Sequence, residues 1–216
     1  MQELRVIACR GSSSVHVAIL FAVLVGTALF VLPHECAKKS MTCIFWVCSV
    51  SVMQISMRAM FEEDYRSGIL EQLLIQDILP EVMVTTKILA HWLGISVPIC
   101  AVSMITDFVV FGDSIYQVLG LGTTLCATLL VVNFVSSVGH TLVLGGEGGL
   151  VIAQLLTFPI VIPIAIYFDL LLQMFGGAVS SAHLYLMILL GVGMICLIPI
   201  SVLFVLSAIK LAVEQN

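Results

Sequence analysis

Six apolar runs, each near the length that crosses a bilayer, leave this chain few folds to choose from. They lie at residues 15–32, 41–60, 87–111, 115–138, 150–175 and 183–213. A helix needs about 20 predominantly apolar residues to cross a hydrocarbon core of about 30 Å. A transmembrane barrel would instead show alternating segments of about ten residues, and these runs do not alternate. The surface chemistry agrees: 61% of residues are hydrophobic and 10% are charged, against about 25% charged in a soluble domain. The expected fold is all-α, a polytopic membrane protein with one transmembrane domain over residues 1–216.

Between the runs the chain is short of material for any separate domain. Residues 1–14 read as a short polar tail and 33–40 as a first loop. The first run follows Arg5 and Arg10, as a signal peptide would, but lacks a small-x-small site at its end, so it reads as a retained span. Six spans put both termini on one side. With the termini in the cytoplasm, the inside segments hold Arg5, Arg10, Arg58, Arg66, Lys87 and Lys210, and the outside holds Lys38 and Lys39. The excess of basic residues favours that orientation. The eight Lys and Arg form no basic cluster, which disfavours nucleic-acid binding.

Residues 61–80, FEEDYRSGILEQLLIQDILP, interrupt this apolar pattern. They carry Glu62, Glu63, Asp64, Glu71 and Asp77, five of the chain's 13 acidic residues, together with Arg66. Phe61, Tyr65 and Ile69 step by four, and Leu70, Leu73, Leu74 and Ile78 form a second stripe. Gly68, a poor helix-interior residue, stands between them. The pattern predicts two short amphipathic helices bent at Ser67-Gly68 and lying along the cytoplasmic membrane face. The plainer alternative is a solvated connector.

Other features are read more quickly. Pro159 and Pro163 are four apart in the fifth run, and Pro199 lies in the sixth. Each removes a backbone donor, giving either an ordinary kink or a hinge. Gly120 and Gly122 suit close helix packing. The seven cysteines form no CxxC pair and read as small buried residues, although Cys36 and Cys43 flank the first loop and could pair. No GxxxxGK[ST] loop exists, so nucleotide chemistry belongs to another chain. The five histidines show neither HxxxH nor CxxCH spacing. Ionisable residues at the membrane are candidates by default; His34, Asp107, Asp169 and His183 fall toward the outer face, for haem or partner contact.

The stretch from Glu63-Asp64 through Gly68, Leu70-Glu71-Gln72-Leu73, Pro80, Lys87 and Ala90-His91-Trp92 resembles the haem exporter protein B family of system I cytochrome c maturation. More broadly it resembles type-2 ABC exporter permeases. The likeness continues at Leu155, Pro159, Ile160, Pro163 and Ile164, and span number and chain length also fit. One departure is the loop Gly145-Gly146-Glu147-Gly148-Gly149, where the family usually has basic residues.

The resemblance implies a non-catalytic subunit paired with a cytoplasmic ABC ATPase, which would hold the ATP. It also implies a haem-handling membrane subunit, a small single-span helper and two copies per complex. The task implied is release of a haem-loaded chaperone for cytochrome c assembly, with no covalently bound cofactor and no metal on this chain. Residues 61–80 would then be the coupling element, with Glu62, Glu63, Asp64, Arg66, Gly68, Glu71 and Gln72 at the ATPase. The expected location is a bacterial inner membrane, or alternatively a mitochondrial one. Two other readings stay open: a type-2 exporter of a lipid or drug, and a secondary transporter, for which the halves show no repeat.

Overall fold

The computed structural model describes residues 2–32, 34–66, 68, 80–144, 149–175 and 181–214. Every regular element among them is helical: α1 (Gln2–Val31), α2 (His34–Arg66), α3 (Pro80–Thr106), α4 (Ile115–Leu142), α5 (Gly149–Phe175) and α6 (Ser181–Glu214). Five apolar stretches are long enough to cross a bilayer: Ser40–Met57, Pro80–Phe111, Ile115–Leu142, Val151–Phe175 and His183–Ala212. Val15–Val31 is a shorter apolar helix.

Residues 34–40, read as a loop, are the first turns of α2, and α4 runs past residue 138 to Leu142. The boundaries differ from the sequence reading in three further places. Residues 2–14 are not an irregular tail but the first turns of α1. Their Leu, Arg and Ala are good helix formers, and no proline intervenes before residue 33. α2 does not stop at residue 60 but continues to Arg66. No helix breaker stands between 41 and 66, so residues 61–66 extend a spanning helix rather than form a separate piece. The chain turns where Gly68 takes φ of 70°, and the Gly68 N–H donates to the Tyr65 carbonyl at 3.2 Å. A side chain in that left-handed backbone would be strained, which is why glycine stands there. The second stripe, with Glu71 and Gln72, and the glycine loop 145–148 lie outside the described residues.

The third difference is α3, which starts at Pro80 instead of residue 87. Proline suits a first helical turn, where its missing N–H has no helical partner, and Glu81 meets the positive helix end. At its other end α3 passes into a π-helical turn, Asp107–Phe111, stopped by Gly112 at φ of 66°. Ser114 then opens α4: its backbone N–H donates to Gln117 Oε1 at 3.1 Å, and its hydroxyl does so at 2.9 Å. α5 runs through Pro159 and Pro163, α6 through Pro199 and α3 through Pro98, each as one helix.

α4 is the central helix. It packs against α2, α3, α5 and α6, while α1 lies on α2 and α3. One apolar cluster joins Phe21, Phe45, Trp46, Ile99, Leu125, Ile164 and Phe168 across α1 to α5. Within it the Trp46 and Phe168 rings stack with centroids 4.9 Å apart. A second cluster, nearer the Arg66 end of α2, joins Met57, Phe61, Val84, Ile88, Phe134 and Val205. α4 packs tightly on α5 at Gly139, where an added Cβ would lie 2.7 Å from Thr157 Cγ2 and 3.0 Å from the Ala153 carbonyl oxygen. At the opposite end Gly120 lies against the Phe175 ring.

Candidate functional site

Lipid tails are as apolar as leucine, so burial of apolar surface does not by itself draw helices together in a bilayer. Small residues and interhelical hydrogen bonds do more of that task. α4 carries both on one face: Asn133, Ser136 and His140 recur at i, i+3 and i+7, and Gly139 stands beside them. All of these side chains are buried, in the half of α4 toward Leu142.

Two hydrogen-bonded groups meet this face. In the first, Asn133 Nδ2 donates to the Ile88 carbonyl of α3 at 2.8 Å. That bond fixes the amide orientation, because a backbone carbonyl only accepts. Asn133 Oδ1 therefore faces His91 Nδ1 at 2.9 Å as an acceptor. A neutral His91 then carries its proton on Nδ1, and its Nε2 accepts the Ser56 hydroxyl of α2 at 3.1 Å. In the second group Gln54 of α2 is the hub. Thr157 of α5 spends its hydroxyl proton on the Gln154 carbonyl at 3.1 Å, so it accepts from Gln54 Nε2 at 3.2 Å. The same Nε2 donates to Ser136 Oγ at 2.9 Å. Gln54 Oε1 then faces His140 Nε2 at 3.2 Å, where the ring must donate. The two histidines, His140 buried and His91 half-buried, thus hold opposite tautomers when neutral.

The arrangement ties α2, α3, α4 and α5 together through polar atoms deep between helices. Toward the Arg66 end it continues as Lys87, whose Nζ donates to the Met60 carbonyl at 3.0 Å. Toward the other end Trp92 Nε1 donates to the Cys126 carbonyl at 3.1 Å. Among the described residues the buried hydroxyls of Ser49 and Ser96 have no hydrogen-bond partner. Beside the network an apolar cavity of about 300 Å³ opens between α4, α5 and α6, lined by Gly139, Leu156, Ile160, Ile200 and Phe204 among others. Among the described residues no group of His, Cys, Asp and Glu is placed to hold a metal ion. Cys43, Cys48, Cys100, Cys126 and Cys196 are free thiols, and the side chain of Cys36 lies outside the described residues.

Of the residues singled out in sequence, Glu62, Glu63, Asp64 and Arg66 fall on the last turns of α2. Their side chains lie outside the described residues, as does that of His34. Asp107 is buried in the π-helical turn and lines a cavity of about 180 Å³ with Thr42, Asp113, Gln117 and Phe175. Asp169 and His183 do not line that cavity; Asp169 Oδ2 accepts from Gln173 Nε2 at 2.8 Å. Sequence reasoning missed Gln54, His91, Asn133, Ser136, His140 and Thr157 as a group. The available signal was the i, i+3, i+7 polar spacing of Asn133, Ser136 and His140 across the end of the fourth run, and the lone amide of Gln54 in the second.

Comparison with known proteins agrees with the resemblance drawn from the motifs. The family model described as CcmB protein matches residues 1–212. A curated relative, the heme exporter protein B of Haemophilus influenzae, is 25% identical over 173 residues, covering 80% of this chain and 76% of its own length.

Proposed function

This chain belongs to the CcmB protein family, and from that premise we propose that it is the permease-like membrane subunit of an ABC-type haem-export complex serving cytochrome c biogenesis. The observation that carries the reading is the family match along residues 1–212, on a helical bundle with five long apolar helices. The relative named for heme export spans most of the same chain.

The finer reading concerns energy input. The chain has no phosphate-binding loop, so ATP is hydrolysed on a cytoplasmic partner and this subunit is non-catalytic. Residues 61–80 couple the two, with Glu62, Glu63, Asp64, Arg66, Gly68, Glu71 and Gln72 meeting the partner. The continuation of α2 to Arg66 and the turn at Gly68 support this role, since residues 61–66 then move as part of a spanning helix. Both termini then lie in the cytoplasm, and the membrane is the bacterial inner membrane. A haem-handling subunit, a single-span helper and a second copy complete the complex, which releases a haem-loaded chaperone. Pro159, Pro163 and Pro199 are the places where α5 and α6 give during that cycle, and His34, Asp107, Asp169 and His183 lie toward the haem-handling side.

The test is a strain lacking this chain, complemented with wild type, Gly68→Pro or Glu71→Lys. Wild type restores c-type cytochromes and co-purifies with an ATPase. Each variant loses cytochrome formation. If both variants keep assembly and cytochrome formation, residues 61–80 are not the coupling element. Normal holocytochrome c in the strain without the chain would move the reading to an exporter of another substrate.

A further inference from the structure

Lys87 is an ammonium inside an apolar span, one helical turn from His91 on α3. Its Nζ donates to the Met60 carbonyl at 3.0 Å and lies 5.2 Å from the centroid of the Phe61 ring. Both partners belong to α2, immediately before the acidic residues 62–64. Phe61 is itself buried against Val84 and Ile88 of α3 and Phe134 of α4. Lys87 is half-buried, and even a partly desolvated cation costs more than an apolar residue of similar length would. Charged residues kept within spans pair with backbone carbonyls and mark working parts of the molecule.

The rung that Lys87 makes is not isolated. Ser56 and Met60 are four apart on α2, and His91 and Lys87 are four apart on α3, running the opposite way. One rung between two helices allows them to pivot about it. Two rungs a turn apart stop both pivoting and sliding. The His91 rung continues to Asn133, so what is fixed to α3 is fixed to α4 as well.

We propose that Lys87 is a positioning residue: the second rung, which makes the Arg66 end of α2 move with α3 and α4 as one block, so that a displacement imposed on residues 61–66 reaches the centre of the bundle. The proposal rests on the coupling role given above to residues 61–80. It predicts a specific uncoupling rather than a failure to fold.

The experiment uses the full complex and compares wild type with Lys87→Leu, Lys87→Gln and Lys87→Arg. Accumulation, ATPase co-purification, ATP hydrolysis and c-type cytochrome formed per ATP are read for each. Lys87→Leu and Lys87→Gln accumulate, bind the ATPase and hydrolyse ATP within about twofold of wild type, as expected for a change outside the nucleotide site. Cytochrome formed per ATP falls about tenfold, the size expected when a charge-assisted hydrogen bond is lost. Lys87→Arg, which keeps the charge and donors, recovers most of it. Backbone hydrogen exchange at residues 57–66 rises in Lys87→Leu and not in Lys87→Arg. An unchanged cytochrome yield per ATP in Lys87→Leu overturns the proposal. So does loss of accumulation in both Leu and Gln variants, which would make Lys87 a folding residue. Failure of the underlying coupling reading looks different: no ATPase co-purifies with the unaltered chain, and the proposal falls with that reading.

Discussion

α4 and α6 are both long apolar helices, yet they solve opposite problems. The α4 span is 72% buried within the protein and the α6 span 22%. In a soluble protein the more buried helix would be the more apolar. Here α4 carries Thr124, Thr128, Asn133, Ser136, Ser137, His140 and Thr141 as buried polar residues, while α6 presents Leu189, Val192, Ile195, Leu203 and Phe204 outward. The bilayer inverts the rule: outward faces meet hydrocarbon, and only a helix screened by other helices can afford amides and imidazoles. Specific pairing is therefore concentrated on α4, and α6 is held mainly by shape.

The contrast can be broken most directly at Asn133. Asn133→Leu removes the donor to Ile88 and the acceptor of His91, leaving the Ile88 carbonyl and the His91 Nδ1–H without these partners, and should destabilise by about 3 kcal/mol. A fall in the thermal midpoint of the detergent-solubilised protein is the readout, and an unchanged midpoint would mean the network does not hold α3 to α4. Next comes Gly139→Ala, whose Cβ meets Thr157 and the Ala153 carbonyl. Parting α4 from α5 should cost about 2 kcal/mol, seen in the same melt.

Smaller effects sharpen the comparison. Gly68→Ala places a side chain at φ of 70° and should cost about 1 kcal/mol, confined to the end of α2 and visible as faster hydrogen exchange there. Ser96→Ala deletes a buried hydroxyl that has no partner and should leave stability unchanged or raise it by up to about 1 kcal/mol. Gly193→Ala on α6 meets nothing within 4 Å and should stay within about 0.5 kcal/mol of wild type. If it proved as damaging as Gly139→Ala, α6 would be as closely packed as α4 and the contrast would fail.

The bundle was legible in the sequence because hydrophobic length is a local property. Residues 150–175 map onto α5, and 115–138 onto all but the last turn of α4. The ends were harder. Nothing in the composition of residues 61–66 says whether an acid-rich turn leaves a helix or continues it; the Gly68 backbone decides, two residues beyond. The network was hardest, since Gln54 meets Ser136 across 82 positions and Thr157 across 103. Such pairings depend on which helices become neighbours, and periodicity within one run carries no record of that. His91 and Trp92 illustrate the gap: in the sequence they are adjacent members of a motif, yet their nitrogens bond to Asn133 and to the Cys126 carbonyl on α4.

The link between α3 and α4 bears on how the protein is made. Only Gly112, Asp113 and Ser114 separate Phe111 from Ile115, so the two helices leave the ribosome as a hairpin. α4 alone would offer the insertion machinery an asparagine, several hydroxyls and an imidazole, a poor candidate for release into lipid. With α3 just ahead of it and its hydrogen-bonding partners already in place at Ile88 and His91, the hairpin can partition as a unit. Lengthening that link with a flexible insert would leave the finished fold room to form, and would show its effect during synthesis, as α4 left outside the membrane.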